Sequence, residues 1–508
     1  MAESNRVQNS YLDEPTFGVA PTVTAANPLR EVPFTSDSLV SSANLTQSDQ
    51  INSTRMLDDS IRLMQNGGGQ IGFEMEYPTD GTFLSDMMSS ALAAPWTNSY
   101  TRFNNGVADS IITEVAVTTN VITVDSTAAV VSAGPHLPNI SAVAVGHLIR
   151  MTGFGQAANN QRPRVTAVAA GAITCAAAGF VAEAAPPGTA RIKVVGFQGV
   201  AGDLVAGVGP NRLTSTALDF TTLGLAPGGF LKIGGPIASE GYVTTACNGF
   251  VRISAISPNQ LLLDQVPPGW AADTGAGRTI TVYLPDRLRA GQSRRSFFFQ
   301  KAWLDILQYS RFPGLVVNEM TQEFVAEQKV AGSFSLMGLP EITGVTTSLG
   351  APVAAPISDV LTASANVARF WENNGPLPAG MLARGLSLRT TNNLIGVSEH
   401  GNGGYAQIIL GRFVPTLDIR VKFQDKSLYE RALQNLPSSI WWRIFSASPI
   451  SGLLNGGVYQ MPRLKFGPPS TPTGGQSQIV EMSVQATGLL DPLTGTSLCF
   501  DRFSEYAA

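Results

Sequence analysis

The sequence predicts a mainly β (α+β) protein. It reads as two similar sheet units, each with one packed helix, and two small all-β modules spliced in tandem into the first unit. Three observations carry this. Charged residues are only 14% of the 508, while Gly (51) and Pro (32) are plentiful and apolar residues reach 44%. That balance marks β-rich domains with many turns, not disorder. A strand–turn–helix pattern occurs twice, far apart. A third stretch, nearly free of helix signal, contains a repeat of its own.

Residues 1–50 are polar throughout and read as an extended N-terminal arm with a short strand at 30–35, either frayed or ordered on a neighbouring subunit. The first unit is assigned to 51–103 and 293–345. Ile71, Phe73, Met75 and Tyr77 alternate with Gly72, Glu74 and Glu76, the period of a half-buried strand. Asp80 or Thr82 can cap the helix that follows. Phe83, Met87 and Ala91, with Leu84, Met88 and Leu92, form its apolar face.

The second unit is assigned to 381–508, after a linker over 346–380. Leu417, Ile419, Val421 and Phe423 alternate with Asp418, Arg420 and Lys422. Asp425 or Ser427 caps. Leu428, Ala432 and Leu436, with Tyr429 and Leu433, make the helical face. The strands superpose at an offset of 417 − 71 = 346 and the helices at 428 − 83 = 345, which sets Trp96 on Trp441. The strand pairs that follow also correspond, 312–324 with 329–338 and 455–469 with 478–488. Each second strand ends in Gly, at Gly338 and Gly488.

The inserted modules are assigned to 104–198 and 199–292. "GHLIRMTGF" (146–154) matches "GGFLKIGGP" (228–236), 164–175 matches 252–263, and 191–195 matches 278–283. Insertion into a loop is tolerated because closure entropy grows slowly with loop length.

Chemistry is sparse. His136, His147 and His400 have no partner at metal-ligand spacing, and His400 reads as a turn residue. Cys175, Cys247 and Cys499 form no CxxC pair. No nucleophile elbow or phosphate loop occurs, so the reading is a non-enzyme without cofactor or metal. Net charge is −4, with no basic stretch for gripping a nucleic-acid backbone. The N-terminal stretch lacks a signal-peptide pattern, and no segment reads as a membrane span, so cytoplasmic folding without a membrane is expected.

Two like units without an active site point to assembly, since open sheet edges aggregate or are paired deliberately. Residues 30–56, 69–96, 295–338 and 459–502 resemble the tail tube protein of long-tailed, non-contractile bacteriophages. The "G-x-x-I-R-M-T-G … R-V-T-A-V" flow of the inserts is similar to β modules inside such proteins. The resemblance implies a structural virion protein: a tube of stacked rings, with strands forming a continuous inner barrel and helices outside. A duplicated member is expected as a trimer mimicking a hexamer, assembled in the host bacterial cytoplasm. Implied partners are the chain itself, the tape-measure protein, tail terminator and tail tip proteins, and double-stranded DNA in non-specific transit. The inserts would decorate the exterior and touch host surfaces weakly. Alternatives left open are a tail terminator or completion ring, a baseplate hub, a carbohydrate-binding adhesin, and a hydrolase with an unrecognised site.

Candidate site residues follow from this. Glu74, Glu76, Asp418, Arg420 and Lys422 face either the lumen, an inter-subunit joint or a solvated exterior. Phe83, Met87, Leu428, Ala432, Trp96 and Trp441 form the helix–sheet core.

Overall fold

The computed structural model describes the chain apart from residues 1–5, 25–26, 49–58, 80, 98–100, 103–115, 119, 124–142, 170–171, 177–178, 184–186, 188–189, 357, 369, 373–374, 377–382, 401–402, 425, 447–452, 472–478 and 508. Strands dominate, and the fold is mainly β. His136 and the candidate caps Asp80 and Asp425 lie outside the described residues.

In the sheet units the strands are β1 (Val7–Asp13), β2 (Val40–Gln47) and β3 (Ser60–Glu74), then helix α1 (Phe83–Ala91). After the inserts come β4 (Asp286–Arg289), β5 (Phe297–Trp303), β6 (Gln308–Val325) and β7 (Ala331–Gly338). The second half holds β8 (Ala383–Thr391), β9 (Ile395–Ser398), β10 (Tyr405–Ile409) and β11 (Val414–Lys422). Helix α2 (Ser427–Leu433) follows, then β12 (Ser438–Phe445), β13 (Leu453–Phe466), β14 (Glu481–Gly488) and β15 (Cys499–Ala507).

The pairings give one connectivity twice. In the first half the order is β3–β7–β6–β5, all antiparallel. In the second it is β11–β14–β13–β12, also antiparallel. Each set is strand, helix, then a three-strand meander whose last member returns beside the first. The odd positions of β3 and β11 (Ile71, Phe73; Leu417, Ile419) turn into one shared core with Phe334, Met320, Leu388 and Val484. Phe73 stacks on Phe334 with centroids 4.7 Å apart. Gly332 permits this, because a Cβ there would lie 2.6 Å from the Phe73 ring.

Thr82 caps α1, its side chain accepting from Ser85 N at 3.4 Å, and every residue of α1 is buried. Ser427 is the first helical residue of α2 and not its cap; Lys426 holds that place without a side-chain bond. Leu428 and Ala432 are buried, but Leu433 and Leu436 are exposed. The expected apolar face of α2 is therefore shorter. The helix stops at Leu433, and Asn435 takes a left-handed conformation (φ 53°) that turns the chain away.

The arm expected over 1–50 contributes to the chain's own sheet: β1 pairs along its whole length with β5, and Tyr11 and Leu12 are buried. Within the expected linker, Leu361 and Phe370 are buried and Trp371 pairs with Trp441 of β12.

The inserts repeat one plan. Strand 147–152 pairs with 191–198, as 230–233 pairs with 281–283. The paired strands 165–169 and 172–175 correspond to 250–257 and 260–265, and the small pairs 116–118 with 121–123 and 205–207 with 212–214 add to each. They are not separate beads, since 196–198 pairs with 281–283 and carries strands 147–152 and 191–198 into the sheet of the second insert, while the remaining strands of the first form a four-stranded sheet of their own. The second also leans on the second sheet unit, where Phe230, Phe250 and Tyr283 pack with Trp441, Val458 and Phe503. β4, at the end of the span read as the second insert, pairs with β15.

Candidate assembly surface

The sheet runs unbroken across both units. Upper β6 pairs with β7 on one side and with β8 on the other, from Glu319↔Thr391 to Val325↔Gly385. β8 then pairs with β11. The order β2–β3–β7–β6–β8–β11–β14–β13–β15 thus joins the units by a seven-rung ladder inside one chain. The strand order has ends, so the described chain alone does not close a barrel.

The two faces differ sharply. One is sealed by α1 and α2 over the shared core. The other stays in solvent and is polar. Ser333 and Ser335 of β7, Glu319, Thr321 and Glu323 of β6, and Ser387 and Arg389 of β8 lie there, followed by Asp418 and Arg420 of β11 and Ser483 and Gln485 of β14. Opposite charges interleave. Lys329 meets Glu74 at 2.9 Å, Arg389 meets Glu319 at 2.6 Å, and Arg384 meets Glu481 at 3.1 Å. Exposed pairs of this kind contribute under about 1 kcal/mol each. Their larger consequence is a wall with little net field at distances beyond about 8 Å in physiological salt.

The structure separates the candidate residues. Glu74, Asp418 and Arg420 share the polar face, where Gln485 Nε2 donates to Asp418 Oδ1 at 3.0 Å. Lys422 ends β11, opposite Glu481. Glu76 lies past the end of β3 and accepts from the Ser358 hydroxyl. Glu74 and Glu76 therefore already have partners in their own chain. Phe83, Met87, Leu428 and Ala432 lie in the core.

Trp96 and Trp441 occupy different places. Trp96 follows α1, donates from Nε1 to Ser85 O at 3.0 Å and packs edge-on against Phe500. Trp441 sits in β12, stacked on Trp371 and against Phe230. The inserts begin just after Trp96, so the strand matching β12 is β5, about 200 residues further on in sequence.

Sequence reading missed a buried charge cluster beneath the inserts. Asp286 of β4 bonds both Arg502 of β15 and Lys193 of the first insert. Asp501 accepts from Phe230 N at 3.1 Å and lies 3.5 Å from Arg287 Nε. Burial pushes the Asp501 carboxyl up, while Arg287 opposes that shift. Nothing in the local pattern pairs residues that lie 93 to 271 positions apart.

A family model described as phage tail tube protein matches residues 4–488. No curated protein matches the chain. With the match spanning nearly all of its 508 residues, the chain belongs to the phage tail tube protein family.

Proposed function

We propose that three copies of this chain close into a ring of six sheet units, and that such rings stack into a tail tube enclosing the tape-measure protein and later conducting DNA. The observation that carries this reading is the β6–β8 joint, a head-to-tail contact between equivalent units that lies within one chain. A head-to-tail contact repeats until it closes, and a ring is the closed solution.

The outer edges of the sheet are the counterparts of the joined ones. Ser470 bridges Ser483 in the second unit as Thr321 pairs with Ser333 in the first, so 467–471 stands where upper β6 stands. On the far side, residues 34–40 run beside β3 as β8 runs beside β11, with Ser36↔Gly72 and Asp37↔Ile71. Each chain then offers 34–40 to the 467–471 edge of the next. Pro468 and Pro469 lack N–H groups, and Pro on an edge strand restrains indiscriminate pairing before assembly.

The polar sheet face supplies the lumen wall. The other face is occupied by helices, and interleaved charges let a polyanion slide without a grip or a strong barrier. The inserts project outward, where small β modules have room and can touch host surfaces.

Electron microscopy of the purified protein tests this, with threefold rings or tubes bearing outward knobs as the expected result. A protein that stays monomeric at high concentration contradicts it. Copy number per virion, read from a stained gel, separates the tube from a terminator or hub ring, which is present in few copies.

A further inference from the structure

The joint inside the chain and the joint proposed between chains differ at one rung. Inside the chain, Asn392 N donates to Asn318 O at 2.8 Å. Bonded and non-bonded pairs alternate along an antiparallel ladder. Met320↔Thr390 and Gln322↔Leu388 are therefore the next bonded pairs. Leu388 lies in the shared core, where Phe324 of β6 packs edge-on against Trp442 and Tyr459 with centroids 5.9 Å away.

These positions have counterparts on the outer edges. Asp37↔Ile71 matches Leu388↔Leu417, so Asp37 takes the place of Leu388, and Leu39 that of Thr390. The β5–β6 and β12–β13 pairs carry the same register shift, at 297/299 and 438/440. Counted from it, Lys301↔Ser310 stands where Trp442↔Tyr459 stands. On the opposite edge Ser470 stands where Thr321 stands, which sets Pro469 at the place of Met320.

The outer edges are blunted at this rung from both sides. Leu39 N, the counterpart of a ladder donor, donates to Asp37 Oδ1 at 2.7 Å. Asp37 Oδ2 accepts from Lys301 Nζ at 2.7 Å and from Asn9 Nδ2 at 3.0 Å, and the Asp37 side chain is only 4% exposed. Pro469 has no N–H to offer. A carboxylate thus sits where the inner joint has leucine, and an ammonium where it has tryptophan.

We propose that the Asp37 carboxylate, held by Lys301 and Asn9, is a block on the 34–40 edge that weakens its pairing with a second copy of this chain. The identity of the partner edge, 467–471, rests on the ring reading above. The inner joint forms within one chain and meets no wrong partner. An outer edge meets every other chain in solution, and an inward-pointing charge with an occupied N–H makes it a poor template. Leucine and tryptophan at 37 and 301 would instead give the free chain an apolar patch and an open rung.

The test uses the full chain. Asp37→Leu with Lys301→Met removes both charges together and frees Leu39 N. Pro469→Ala restores a donor at the same rung of the partner edge. One added backbone hydrogen bond changes an association constant by roughly two- to tenfold. Sedimentation velocity is expected to show both variants assembling at concentrations lower by that factor, the double variant with irregular aggregates beside its rings. Residue-resolved hydrogen exchange of the free wild type is expected to show a protected Leu39 amide. A folded double variant that assembles only at the wild-type concentration, or a Leu39 amide that exchanges as freely as an exposed one, overturns the block and leaves the ring reading standing. A wild type that forms no rings, beside a double variant that self-associates, overturns the ring reading and leaves the block standing. If neither associates, both fall.

Discussion

Arg502 Nη2 lies 3.0 Å from Asp286 Oδ2, with both side chains out of solvent. The same guanidinium donates to Pro78 O at 2.6 Å and Ser85 Oγ at 3.0 Å, and lies 4.0 Å from the Trp96 ring centroid. One residue of the last strand thus ties together α1, the turn before it, the strand after the inserts and, through Asp286, Lys193 of the first insert. Removing one partner of a buried pair leaves a buried charge behind, at a cost of about 3–5 kcal/mol. Lys193 still faces Asp286, so Arg502→Leu is expected at the low end, near 3 kcal/mol. Urea unfolding measures this, and a loss below 1 kcal/mol contradicts the assigned role.

The joint between the units depends on Leu388, which is fully buried in β8, opposite Gln322 of β6 and Leu417 of β11. Leu388→Ala removes packing where both units meet. The expected loss is about 2–5 kcal/mol, read from the denaturation midpoint at constant slope. A surface-like loss under 0.5 kcal/mol is incompatible with a packed joint.

His147 predicts an acid sensitivity. Its Nδ1 accepts from Ala144 N at 2.9 Å, and Nε2 faces Leu223 O at 3.4 Å. Burial lowers its pKa from 6.5 to about 4, with the Leu223 carbonyl opposing. The folded state therefore prefers the neutral ring. Stability is full above the unfolded pKa near 6.5 and falls as pH drops toward 4, below which the folded form also protonates. By linkage the loss at pH 4.5 is about 2.5 kcal/mol. His147→Gln flattens that part of the pH profile. An unchanged profile contradicts the assignment.

Legibility followed locality. Strand β3 and helix α1 were readable because their apolar residues recur at fixed short periods, and the insert strands because they repeat within about 85 residues. β1 was not readable: in "VQNSYLD" Asn9 and Ser10 are buried yet polar, and they are stabilised by partners such as Asp37 and Gln300 that lie far along the chain. The equivalence of Trp96 and Trp441 failed because a helix offset was carried across the point where the inserts enter. On the candidate surface, Glu74, Asp418 and Arg420 were readable as a strand face. Their partners Lys329 and Gln485 come from neighbouring strands or turns, which only pairing brings close.

Electron cryomicroscopy of assembled tails, at a resolution that separates strands, decides whether three chains close the ring. The expected map has threefold rings with one chain per 120°, six sheet-and-helix units around the lumen, and residues 34–40 of each chain paired with 467–471 of its neighbour. A sixfold ring with one chain per 60°, or a 34–40 edge left in solvent, would contradict it.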